Sequence, residues 1–117
     1  NISNMEYNSS VAKNIKGLRK ANGFTQERLA EYLNVGRSAY ANYESGEREA
    51  PLDVLERLAD LFGCDLYELY EDDQAAQENM LATAFRVDDL SLEDMNQVAA
   101  FKRMVKNYLK MDSMLAR

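Results

Sequence analysis

The sequence predicts an all-α fold, a bundle of five helices followed by a C-terminal helical extension. Three stretches predict it. Residues 25–46 carry two short helical patterns separated by a break too tight for anything but a sharp turn. Leu52, Leu55, Leu58, Ala59 and Phe62 form an apolar stripe at helical spacing. Near the end of the chain Phe101, Met104, Tyr108, Met111 and Leu115 form another, with 3-4-3-4 spacing.

In chain order, residues 1–9 are polar and without periodicity. Ser9 or Ser10 is the expected cap of a first helix in which Val11, Ile15 and Leu18 follow the i, i+4, i+7 rule. Lys13, Lys16, Arg19 and Lys20 lie off that face. Asn22-Gly23 ends the helix, and Phe24 staples the turn to the core. Thr25 caps the second helix, on which Leu29, Ala30 and Leu33 share a face. The chain reverses at Asn34, because Asn is one of the few residues that tolerates a left-handed backbone. A third helix runs from Arg37 to about Ser45, with Tyr40 and Tyr43 turned inward and Gly46 as its stop. Two helices of this length joined by so short a turn make a helix-turn-helix, and a side chain larger than Ala30 would push them apart.

Pro51 prefaces the fourth helix and Gly63 closes it. Asp65 with Glu68 reads as a capping box opening a short fifth helix through Leu66, Leu69 and Tyr70. Each of these helices has a core face, so residues 9–70 are expected to make a self-sufficient bundle. An acidic hinge, Glu71-Asp72-Asp73-Gln74, begins a connecting segment that extends to residue 90. Within it, Ala75 to Ala84 reads as helical and Phe85-Arg86-Val87 as extended. Residues 91–117 form the extension. Ser91 stands in capping-box spacing to Asp94, and the last helix is expected from about Leu92 to about Met111. Met95, Val98, Val105 and Leu109 widen its stripe into more apolar surface than a free tail tolerates.

Composition removes several function classes. With one cysteine and no histidine, the usual zinc ligand sets cannot be assembled, and the chain lacks a Gly-rich phosphate loop and a nucleophile elbow. Neither an enzyme nor a cofactor or metal is expected. Cys64 reads as a small buried hydrophobe. No run approaches the roughly 20 apolar residues of a membrane span, and no opening stretch has signal-peptide layout, so the expected location is the cytoplasm.

At Gln26, Ala30, Asn34, Tyr40 and the N-Y-E-S-G run at 42–46, the sequence resembles the Cro/repressor-type (Xre) helix-turn-helix family of bacteria and their phages. The likeness covers roughly residues 10–70. Asn34 stands where that family usually has Gly, Tyr40 where it has Ile or Val, and Gly36 where a Ser or Thr cap is common. A Tyr40 hydroxyl facing inward therefore needs a partner or an outlet to water. The stretch from Ala84 to Met111 is similar to C-terminal extensions of such regulators from mobile elements and phages of Gram-positive bacteria.

The resemblance implies a five-helix lambda-repressor-like fold and a transcriptional regulator, expected to act as a repressor, that binds double-stranded DNA as a dimer on a pseudo-palindromic operator. Carried over by position, it implies base contacts from Arg37, Ser38 and Asn42, with Ala39 and Ala41 near a thymine methyl. Arg37 suits guanine O6 and N7, and Asn42 suits adenine. It also implies phosphate contacts from Gln26 and the backbone amides beside it, and from Thr25, Arg28, Lys13, Lys16, Tyr43, Ser45 and Arg48. Glu44 is expected to pair with Arg28, Arg48 or a backbone amide. Phe101, Met104, Val105, Tyr108, Met111 and Leu115 are the expected dimer contacts. The alternative is an antitoxin or partner-binding module, whose protein partner would be a toxin or metallopeptidase encoded nearby. The net charge of −6 is unusual for a DNA binder, but six basic residues lie between Val11 and Tyr43 against only Glu27 and Glu31. Acidic residues dominate from Glu44 to Asp94.

Overall fold

A computed structural model describes residues 2–84 and 94–115, with side chains from residue 9 onward. The expected extended run at Phe85-Arg86-Val87 and the expected cap at Ser91 lie outside the described residues. Among those described, every regular element is a helix. The elements are α1 (Ile2–Asn22), α2 (Gln26–Leu33), α3 (Arg37–Ser45), α4 (Leu52–Phe62), a 3-10 helix (Leu66–Tyr70), α5 (Gln74–Thr83) and α6 (Met95–Leu115). None of the described helices is long and apolar enough to cross a membrane.

Helix α1 starts well before its expected cap. Ser9 and Ser10 lie inside it, because nothing from Ile2 to Lys16 is a Gly or Pro and the helix, once nucleated by the Val11 to Leu18 face, propagates backwards at small cost per residue. Val11, Ile15 and Leu18 are buried as the periodicity predicts, and Asn14 is buried beside them. Its amide donates to the carbonyls of Leu69 and Glu71, at 2.9 and 2.8 Å, and ties the end of the 3-10 helix to α1.

Thr25 caps α2 by accepting from the Arg28 amide at 3.1 Å. Asn34 takes φ 56° and ψ 45°, the left-handed reversal that brings α3 across α2. Gly46, at φ 82°, closes α3. On α4 the buried set is Val54, Leu55, Leu58, Ala59, Leu61 and Phe62, whereas Leu52 is 57% exposed. Leu52 opens the helix ahead of the packed region. The buried face is wider than the sequence stripe because α4 packs against α1, the 3-10 helix and α6 together. An Arg57 and Tyr32 clasp fastens α4 to α2. The Arg57 guanidinium donates to the Tyr32 carbonyl and lies 4.5 Å from the centre of the Tyr32 ring, while the Tyr32 hydroxyl donates to the Arg57 carbonyl at 3.1 Å.

The Asp65 and Glu68 capping box forms, with Glu68 Oε1 2.8 Å from the Asp65 amide, but the turn it opens is 3-10 rather than α. Helix α5 is capped by Asp73, whose carboxylate accepts from Ala76 N at 2.9 Å. Helix α6 begins at Met95, with Asp94 in the capping position. Asp94 Oδ1 accepts from Asn96 N at 2.9 Å and Gln97 Oε1 accepts from Asp94 N at 3.4 Å.

The expectation that the first five helices complete a core by themselves is corrected by α6. Met95, Val98 and Ala99 are buried within the same cluster as α1 and α4, as is Met80 of α5. Lys102 is fully buried and donates to Asn22 Oδ1 at 2.6 Å, joining α6 to the end of α1. Its desolvated ammonium has its pKa lowered to about 8. Further along, Lys106 donates to the Cys64 carbonyl at 3.1 Å and Lys110 reaches Asp65 at 2.7 Å. Cys64 is buried, and desolvation pushes its thiol up to about 12.

Candidate nucleic-acid interface

The surface begins with how α3 is held. Ala30 is buried at the contact between α2 and α3, where a methyl group lets the helices approach. Tyr40 and Tyr43 point inward from α3 and meet edge to face, their ring centres 6.3 Å apart. Beside them Glu44 is buried, its side chain only 3% exposed. Arg19 grips that carboxylate with two donors, Nε to Oε2 at 2.7 Å and Nη2 to Oε1 at 3.1 Å. Arg19 Nη1 also donates to the Phe24 carbonyl at 3.0 Å, so one guanidinium joins α1, the turn before α2, and α3. Gln26 completes the cluster by donating Nε2 to Glu44 Oε1 at 3.0 Å.

The electrostatics follow from this geometry. Burial alone would raise the Glu44 carboxyl, but Arg19, the neighbouring Tyr40 hydroxyl and Gln26, together with the Arg19 charge, outweigh it and hold its pKa below the ordinary carboxylate value. Arg19 is raised in turn by its bond to Glu44. The Tyr40 hydroxyl, enclosed near both groups, makes no hydrogen bond of normal geometry among the described residues. Burial first, then the close approach of its hydroxyl to the Glu44 carboxylate, and after that the Glu44 charge, push it well above the ordinary phenol value. The polar neighbours that an inward Tyr40 called for are Glu44 and Arg19.

Outward from this clamp, α3 presents its first turn to solvent. Arg37 and Ser38 are exposed, and Ala39, Ala41 and Asn42 are half-buried behind them. Gly36 supplies no side-chain cap, so the amides of that turn are left to solvent or to a ligand. Arg37 Nη1 lies 3.4 Å from Glu27 Oε1, both side chains about two-thirds exposed. Lys13 and Lys16 of α1 line a notch with Ser9, Ala12, Glu44, Ser45 and Gly46.

Residues 15–69 match the family model described as helix-turn-helix. This segment is similar to helix-turn-helix domains of the Xre type. Among curated proteins, the chain is similar to the HTH-type transcriptional regulator ImmR of Bacillus subtilis (strain 168), 33% identical over 70 residues that cover 60% of this chain and 55% of the relative. It is also similar to the cryptic phage CTXphi transcriptional repressor RstR of Vibrio cholerae, 30% identical over 73 residues, 62% of this chain and 66% of the relative. The competence pilus inhibition repressor of Acinetobacter baylyi is 30% identical over 60 residues, 51% of this chain and 54% of that one. The chain thus spans between about half and two thirds of the length of these relatives. No solved structure matches it.

The residues named from sequence are not equally available. Lys13, Lys16, Arg37, Ser38 and Arg48 are exposed. Thr25 is exposed, but its hydroxyl is occupied as the α2 cap. The Ser45 hydroxyl donates to the Asn42 carbonyl at 3.1 Å. The Gln26 amide is committed to Glu44, and Tyr43 is only 5% exposed. Arg28 lies apart from the α1 and α3 notch, in a hollow with Glu31, Tyr32 and the start of α6. The partner expected for Glu44 is also corrected: it is Arg19 and Gln26, not Arg28, Arg48 or a backbone amide. Sequence reasoning missed Arg19, reading it as one more surface cation. The available signal was its place next to Leu18, at the edge of the buried stripe.

Proposed function

We propose that this chain is a sequence-specific double-stranded DNA-binding transcriptional regulator, a repressor that acts in the cytoplasm as a dimer on a pseudo-palindromic operator. The observation that carries the reading is the exposed first turn of α3, with Arg37 and Ser38, set on a clamp of buried charge that fixes the helix to α1 and α2. An α-helix so mounted enters a major groove with its N-terminal residues against base edges. Arg37 then pairs guanine, Asn42 and Ser38 lie on neighbouring bases, and the notch with Lys13, Lys16 and Ser45 receives a phosphate. Arg48, Arg28 and Thr25 have the exposure for outer phosphate contacts. Gln26 and Tyr43 reach phosphate only by leaving their present places. Names of relatives from phage and prophage settings support the same class.

Residues 9–70 carry the DNA contacts, 71–90 connect, and 91–117 pair two copies. Along α6, Met104, Tyr108, Met111 and Leu115 are 61%, 68%, 62% and 82% exposed, while Phe101 and Val105 are half-buried at their edge. An exposed apolar strip of this kind marks a protein contact. Twofold pairing sets two recognition helices about 34 Å apart on one side of a duplex. The same strip favours a second reading, a module that holds a different protein and binds DNA to regulate its own synthesis.

Selection from a random duplex pool tests the first reading. It should yield a two-part site with dyad symmetry, and Arg37→Ala should lose about 1–3 kcal/mol on that site and relax one base position in each half. Failure to enrich any site refutes it. Light scattering distinguishes the readings of the strip, since a monomer at tens of micromolar removes the self-pairing.

A further inference from the structure

We propose that Glu27 is a specificity-determining residue of the DNA-reading surface, its carboxylate standing beside the Arg37 guanidinium so that a base edge is accepted and a phosphate is disfavoured. This rests on α3 reading bases as argued above. Glu27 sits in the first turn of α2 and Arg37 opens α3, so their contact at 3.4 Å spans the two helices of the motif at the surface α3 offers to the groove. Both side chains are about two-thirds exposed, so water screens the pair and it opens readily. It is therefore no structural tie of any weight, unlike the buried Arg19 and Glu44 pair.

Its chemistry is asymmetric toward the two kinds of DNA contact. A guanidinium carries five N–H donors in a rigid fork. A carboxylate on one edge leaves another edge free for guanine O6 and N7. A phosphate taking the same guanidinium brings a full negative charge toward the Glu27 carboxylate, which repels it. Glu27 accordingly leaves a cognate contact in place and weakens a non-cognate one. In a chain of net charge −6, this adds local discrimination to an already weak sequence-independent attraction.

The test uses the full chain, the duplex enriched by the wild-type protein from a random pool, and a scrambled duplex of equal length. With Glu27→Gln, affinity for the scrambled duplex should rise about 3- to 10-fold. Its logarithm against log salt should steepen by about 0.9, one added phosphate contact. Affinity for the enriched duplex should change less than about twofold, so the ratio between them falls. In an Arg37→Ala background, Glu27→Gln should leave the scrambled-duplex affinity and its salt slope unchanged. An equal shift on both duplexes, or the same shift without Arg37, overturns the proposal while leaving base reading by α3 intact. A mere loss of melting temperature with unchanged selectivity also overturns it, since Glu27 would then serve only the N-terminus of α2. If no duplex is enriched, base reading itself fails and the proposal falls with it.

Discussion

Replacing Arg19 by Met should destabilise the protein by about 3 kcal/mol at neutral pH, because breaking one side of a buried ion pair leaves an uncompensated charge. The side chains are 12% and 3% exposed, and the two donors at 2.7 and 3.1 Å are lost together. Gln26 remains on the carboxylate, with the Tyr40 hydroxyl nearby. Out of a total folding stability of about 5–15 kcal/mol, such a loss is easily resolved by urea denaturation. The pH dependence gives a second, sharper readout. In the wild type the Glu44 carboxyl is held below the ordinary carboxylate value, so its contribution is present above that value and fades as pH falls through the lower folded-state one. In Arg19→Met, burial dominates and raises the carboxyl instead. The variant should therefore be most impaired at pH 7.5 and recover part of the gap at pH 5, where its Glu44 takes up a proton. Arg19→Met/Glu44→Gln should restore much of the loss at pH 7.5, since an amide carries no charge to strand. A single-variant cost below about 1 kcal/mol, or an identical cost at both pH values, would mean that Glu44 is not a buried, paired carboxylate.

Ala30→Leu should overfill the contact between α2 and α3 and cost about 1–3 kcal/mol, read as a lower urea midpoint; an unchanged midpoint would contradict the close helix approach. The lowered value of about 8 at Lys102 means that the unfolded chain holds a proton the folded chain has released between about pH 8 and 10.5, so this group makes stability rise with pH across that window. Lys102→Met should flatten that rise, and parallel pH profiles of wild type and variant would refute it. Tyr108→Glu/Met111→Glu should reduce the scattering mass from dimer to monomer while leaving the melting temperature within about 2 °C, because both side chains are mostly exposed within one copy; a preserved dimer would locate the pairing elsewhere.

Much of this protein was legible in local chemistry. Thr25 as a cap, Asn34 in the left-handed region, Gly46 and Gly63 as stops, and the Asp65 and Glu68 box depend on residues three or four positions apart, which the sequence displays side by side. The inward faces of α1, α2 and α3 followed from the 3.6-residue period for the same reason. Ser9 and Ser10 failed as caps because a polar stretch without breakers gives no reason for a helix to begin there rather than earlier.

What the sequence by itself determined is the set of helices, the ends of α2, α3 and α4, and the candidate reading turn from Arg37 to Asn42. Tertiary structure alone decided which polar groups are buried and by whom they are met. Arg19 and Glu44 are 25 residues apart, and Lys102 and Asn22 are 80 apart. No periodicity links such positions, because a buried charge is made tolerable only by a partner that folding delivers from elsewhere in the chain. The same limit explains the last helix. Its stripe announced an apolar face, but which part of that face is covered depends on the groove that α4 and α1 leave open. That groove takes Met95, Val98 and Ala99 and leaves Met104, Tyr108 and Met111 in water.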